Sequence, residues 1–148
     1  DGIRFAELWA HNRPHASGHQ LHYDSDDEGR GGLRHPTVTS VTFIDGDVGG
    51  PTLMTNQRLG DAHLGTQGWL CPSKSNRLLV FDGRYLHGVI PGKGVSPVPG
   101  GRRVTMMLAL WCNIQIRDEP GAGSARPFPM GDDQPLWAKQ LTAGGPPK

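Results

Sequence analysis

Thr37-Val38-Thr39-Ser40-Val41-Thr42-Phe43-Ile44 is the stretch that decides the fold. It is dominated by β-branched residues and contains no strong helix former. Branching at Cβ suits an extended, half-buried backbone, so this stretch is expected to be a strand. Immediately downstream, Asp45-Gly46-Asp47 and Gly49-Gly50-Pro51 punctuate the chain as turns. Residues 52–56 form the next strand candidate, and the polar residues 58–66 a connection. Residues 68–71 and 77–81 (RLLVF) are short strand candidates divided by Pro72-Ser73-Lys74-Ser75-Asn76. The 77–81 strand is expected to be buried. Asp82-Gly83 makes a turn before an extended piece at 87–90, and residues 93–101 form a Gly/Pro loop. Residues 102–111 (RRVTMMLALW) have a period that also suits a helix, but Val104-Thr105 and the preceding Gly-Gly favour a strand.

Upstream, residues 25–32 are polar and glycine-rich, and residues 20–24 are a short strand end. Residues 3–11 (IRFAELWAH) form a strand that Arg13-Pro14 breaks, with a turn at Ser17-Gly18. Seven or eight short strands joined by turns predict an all-β sandwich, jelly roll or barrel. Residues 1–116 are expected to be that domain, and residues 117–148 a Pro/Gly-rich C-terminal extension.

Composition narrows the possible functions. The chain has 148 residues, and its 22 Gly and 13 Pro argue for turns and against a helix bundle. A net charge of +1, with no Lys/Arg cluster interleaved with aromatics, predicts no nucleic-acid partner. No apolar run is long enough to span a membrane, and no signal peptide is visible. A soluble protein of the cytoplasm or nucleus is expected in preference to a secreted one; the oligomeric state is open. Cys71 and Cys112 make no disulfide framework and are expected to be buried thiols. Trp9, Trp69, Trp111 and the pair Met106-Met107 are expected in the core.

The chemistry starts at His22-x-Asp24. On a strand, positions i and i+2 share a face, so one imidazole and one carboxylate would project together. A second histidine would complete a two-histidine, one-carboxylate face of the kind that selects non-haem Fe(II). His87, after the 77–81 strand and the turn, has the right setting. Arg102-Arg103 then opens the last apolar strand, and a cation at the mouth of a β core needs an anion. Asp26, Asp27 and Glu28 read as a solvated acidic loop. His11, His15 and His19 have helical spacing, but Pro14 and Gly18 break any helix that would align them on zinc. His35 and His63 read as surface residues. Gly49-Gly50 reads as a bulge or tight turn, and Asp82 with Arg84 as a local turn contact.

The order His-x-Asp, β-branched strand, Gly-Gly-Pro-Thr, Leu-Leu-Val-Phe, His-Gly-Val, Arg-x-Thr resembles the Fe(II)/2-oxoglutarate-dependent dioxygenases. Within them it looks most like the prolyl-hydroxylase-like branch. The resemblance covers residues 5–112. It implies a double-stranded β-helix, a distorted, cupin-like jelly roll, whose usual N-terminal supporting helices are expected to be absent from this chain. It implies His22, Asp24 and His87 as the iron ligands and catalytic centre. Arg103, in preference to Arg102, would hold the distal carboxylate of 2-oxoglutarate, with Thr105 on the same strand face. Thr39, Val41 and Phe43 would line the cosubstrate pocket, and Tyr23 and Arg84 would flank the ligands near substrate. The implied cofactor set is Fe(II), 2-oxoglutarate as cosubstrate and O2, with succinate and carbon dioxide released. The implied substrate is a peptide or protein side chain, such as proline, or a small molecule. Asp24 points to hydroxylation, because the related halogenases lack that carboxylate. Two other classes stay open: a non-catalytic cupin-like module binding a metal or ligand, and a zinc-dependent enzyme using the same three ligands.

Overall fold

In the computed structural model, which describes residues 2–26 and 32–114, the expected strands are present and no helix occurs among the described residues. The strands are β1 (Phe5–Pro14), β2 (His19–His22), β3 (Val38–Asp45), β4 (Thr52–Arg58), β5 (Gly68–Cys71), β6 (Arg77–Asp82), β7 (Tyr85–Val89) and β8 (Arg102–Trp111). They form two four-stranded antiparallel sheets, ordered β1-β8-β3-β6 and β2-β7-β4-β5. Neighbours in each sheet are mostly distant in sequence, as in a jelly roll, so each sheet is closed by long-range pairing. The expected extension at 117–148 lies outside the described residues. No helix among those described is long and apolar enough to cross a membrane.

The β-branched stretch becomes β3, hydrogen-bonded on one side to β6 and on the other to β8. Its alternation is strict. Thr39, Val41 and Phe43 are buried, while Val38, Ser40 and Thr42 are less so. The same period runs through β8, where Arg103, Thr105, Met107, Ala109 and Trp111 point inward. Val41, Phe43 and Met107 form the core, packed by Trp9, Cys71, Leu79 and Phe81. Burying a side chain such as Phe43 contributes about 1.5–3 kcal/mol.

Several expectations need correction. Arg13-Pro14 does not break β1, which runs to Pro14 opposite Arg102. Strand β1 is an edge, and Pro lies at its end, where the missing N–H costs no ladder bond. Strand β6 is not buried: it too is an edge, and its Leu78 and Val80 are 61% and 56% exposed. Leu8 and Met106 lie exposed on the outer face of the same sheet, so only Met107 of the methionine pair is core. Of the tryptophans, Trp111 is buried, Trp9 packs against the core, and Trp69 is 46% exposed on the edge strand β5. Both cysteines are half-buried rather than buried.

Candidate metal centre and anion pocket

Strand β2 ends at His22, so Asp24 is not on a strand. The expected shared strand face is therefore not what joins the two residues. The segment after β2 turns inward instead, and other contacts fix it. The main-chain carbonyl of Asp24 accepts from Nδ1 of His35 at 2.6 Å. The Thr39 hydroxyl on β3 donates to Asp24 Oδ2 at 3.1 Å. These contacts leave Oδ1 to face the histidines.

His87 lies inside β7 rather than at its start, buried and opposite both His22 on β2 and Met54 on β4. Gly88 permits the close approach of β2. A Cβ there would lie 2.8 Å from the His19 carbonyl oxygen. The His22 and His87 ring centroids are consequently 4.4 Å apart.

The three ligand atoms converge. Asp24 Oδ1 is 3.5 Å from Nε2 of His22 and 3.5 Å from Nε2 of His87, and all three atoms lie within 4.8 Å of one another. Each imidazole places Nδ1 beside a main-chain carbonyl, Gln20 at 2.8 Å for His22 and Tyr85 at 2.9 Å for His87. A carbonyl only accepts, so Nδ1 carries a proton and Nε2 is the ring nitrogen turned inward toward Asp24. Nε2 of His87 is buried without a hydrogen bond. Two imidazole nitrogens and a carboxylate oxygen facing one point could hold a metal ion among them. Nitrogen and oxygen donors in this number, each held by a hydrogen bond from behind, fit a first-row divalent metal such as Fe(II).

Electrostatics agree with that geometry. Burial disfavours the Asp24 charge, but His22 and His87 outweigh it and hold the carboxyl well below its usual range. The hydrogen bond to Asp24 raises the His22 pKa against the opposing effect of burial. Burial, then the nearby His22, brings His19 down to about 4, so this ring is neutral.

The pocket beside the ligands is lined by His11, Arg13, His19, Val41, Met107 and Arg103, among others. Arg103 is 2% exposed. One terminal nitrogen donates to the Thr52 hydroxyl at 2.8 Å, the guanidinium carbon lies 5.1 Å from the Phe43 ring centre, and Nε is buried without a partner. Burial, reinforced by the Arg13 charge, lowers its pKa. Gly49 has φ 83° and covers the Arg103 stem, where a Cβ would lie 2.6 Å from Cδ. Gly-Gly-Pro-Thr is thus a turn shaped around Arg103, with Thr52 as its partner. Arg102 faces out and binds Asn12. Thr105 is fully buried on the Arg103 face with its hydroxyl unpaired. Of the residues expected to line the pocket, Val41 does so, Phe43 underlies Arg103, and Thr39 contacts Asp24.

Other expected residues lie elsewhere. Arg84 and Arg58 both pair with Asp82, at 2.6 and 2.9 Å, bringing Asp82 down to about 2 chiefly through Arg84. Arg84 therefore makes the expected local turn contact. Tyr23 packs near His35, with ring centres 6.2 Å apart. Asp26 is not freely solvated; it pairs with Arg34 at 3.6 Å. Asp27 and Glu28 lie outside the described residues. His35 is not a bystander, since it holds the Asp24 main chain. His11 and His19 come within 5.5 Å of each other without a helix, and His15 instead accepts from the Gly49 N–H at 2.9 Å. The signal for His11 and Arg13 was present in the period-two alternation of β1, which turns Trp9, His11 and Arg13 to one face.

No family model matches the chain, and no curated protein is similar to it. Among solved structures, it is similar to a Pseudomonas putida prolyl-4-hydroxylase, with 17% identity and a TM-score of 0.50, covering 74% of this chain and 54% of that one. The chain thus spans about half the length of that hydroxylase. At this identity the likeness establishes the fold: an all-β jelly-roll core shared with an enzyme of that name.

Proposed function

We propose that this chain is an Fe(II)- and 2-oxoglutarate-dependent oxygenase that hydroxylates a C–H bond of a peptidyl, prolyl-like side chain. The observation that carries the proposal is the convergence of His22, Asp24 and His87 beside a pocket containing a buried arginine that makes no ion pair among the described residues. A metal-binding module has no need of that cation, and a dicarboxylate cosubstrate does. The peptidyl choice rests on the name of the structurally similar hydroxylase.

His22, Asp24 and His87 would hold the metal, leaving positions for cosubstrate and dioxygen. Bound Fe(II) would supply the activation of dioxygen that couples C–H hydroxylation to oxidative decarboxylation of 2-oxoglutarate, giving succinate and carbon dioxide. The carbonyls of Gln20 and Tyr85 hold a proton on Nδ1 of each imidazole and so orient Nε2 toward the metal position. Thr39 holds the Asp24 carboxylate in one orientation. Arg103, supported by Thr52, would take the distal carboxylate, and Thr105 offers a further hydroxyl on the same face. Val41 and Met107 give the pocket an apolar wall that limits water.

The test is anaerobic loading of the full chain with Fe(II), addition of 2-oxoglutarate and a visible spectrum. A weak metal-to-ligand charge-transfer band is expected in wild type and not in His87→Ala. Absence of the band, with tight zinc binding instead, would replace the oxygenase with a zinc enzyme or a binding module.

A further inference from the structure

Arg13 and Arg103 occupy directly opposite positions in the β1–β8 ladder, and both line the same pocket. Like charges directly opposite in a sheet repel, and burial sharpens the cost. Neither guanidinium forms an ion pair among the described residues. The residues lining the pocket include no carboxylate. Thr52 accepts one bond from Arg103, the Thr105 hydroxyl is buried and unpaired, and His11, opposite Thr105, is held neutral by burial and by both arginines. This end of the pocket therefore carries two guanidinium charges with no anion among its lining residues to balance them.

We infer that Arg13 is a second anion-binding residue, so that the carboxylate at this end of the pocket is gripped by guanidinium groups from both β1 and β8. The inference rests on the oxygenase reading for the identity of the natural ligand, but not for the charge of the group bound. Paired guanidinium forks favour a full carboxylate over a neutral or apolar tail. Arg13 thereby makes the pocket selective for dicarboxylate 2-oxo acids over monocarboxylate ones that share the same chelating head.

Two measurements on the full chain separate this inference from the reading beneath it. The first uses metal-free protein and thermal melting, with succinate as the dianion and butyrate as the monoanion at equal ionic strength. Succinate should raise the wild-type Tm more than butyrate does. Arg13→Gln should need about tenfold more succinate for the same shift, the loss expected for one charge-assisted hydrogen bond. Its ligand-free Tm should equal or exceed wild type, since a repulsion is removed, and Arg13→Lys should recover part of the response. The second titrates the anaerobic Fe(II) protein with 2-oxoglutarate and with 2-oxobutyrate, following the charge-transfer band. Arg13→Gln should weaken the first by about tenfold and leave the second unchanged. Equal succinate responses in wild type and Arg13→Gln overturn the inference, as does an equal loss for both 2-oxo acids or a clearly lower ligand-free Tm. Succinate selectivity that depends on Arg13, without any charge-transfer band, keeps the anion site and removes the oxygenase reading instead.

Discussion

Thr39→Val isolates the contact that makes Asp24 a ligand. The Thr39 side chain is fully buried, and its hydroxyl donates to Asp24 Oδ2 at 3.1 Å. Valine keeps nearly the same shape and removes only the donor. A hydrogen bond to a charged group contributes about 1.5–3 kcal/mol, and the Asp24 side chain, 9% exposed, has little access to replacement water. Metal-free Thr39→Val should therefore be less stable by about 1.5–3 kcal/mol in urea unfolding. The metal should respond separately. Without Thr39, Oδ2 is free to compete with Oδ1 for the histidines, and the carboxylate loses its single orientation. Loss of such an outer partner typically weakens metal binding by about 10–100-fold. Competition against a chelator of known affinity reads that loss. If Thr39→Val holds metal within about threefold of wild type, orientation of Asp24 through Oδ2 is not part of the site.

Gly49→Ala should be destabilising on two counts. A left-handed backbone disfavours alanine by about 1–2 kcal/mol, and the Cβ, 2.6 Å from Arg103 Cδ, adds the cost of displacing that stem. A lower urea midpoint together with a weakened succinate response is expected; wild-type stability would show that the turn is not shaped by Arg103. The pH dependence follows from His22, whose folded pKa is raised above 6.5 by its hydrogen bond to Asp24. In metal-free protein the stabilisation from protonated His22 is complete below 6.5 and is lost as pH rises through the raised value. Metal needs the neutral ring, so its affinity should rise with pH across the same interval. Thermal melting without metal and chelator competition with it should thus slope in opposite directions, and parallel slopes would contradict the assignment.

Much of the framework was legible because β-branched runs and Gly/Pro turns mark strands locally. The β3 stretch is read from its β-branched residues, β8 from Val104-Thr105 and the Gly-Gly before it, and Arg103 over Arg102 from the Arg-x-Thr resemblance; in both strands the structure then buries alternate residues. The same rule, applied to β1, places His11 and Arg13 on the pocket face. It was obscured by Pro14, which an edge strand tolerates. The 77–81 strand misled because a run of apolar residues looks the same on a buried strand and on an edge strand. The histidines at 11, 15 and 19 showed regular spacing, yet their neighbours are set by sheet closure rather than by any helix.

The sequence by itself determined the all-β class, the strand positions within a few residues, and the residue types able to bind a metal and an anion. These are local properties: side-chain branching, turn chemistry and alternation act between neighbours in the chain. Tertiary structure alone decided that Asp24 reaches the histidines from outside a strand, held by His35 and Thr39. It alone decided that Thr52 supports Arg103, and that Arg13 faces Arg103 across a ladder joining residues ninety positions apart. Those relations depend on strand order and register. Order and register are chosen by which faces bury together over the whole sandwich, and no window of the chain contains that information.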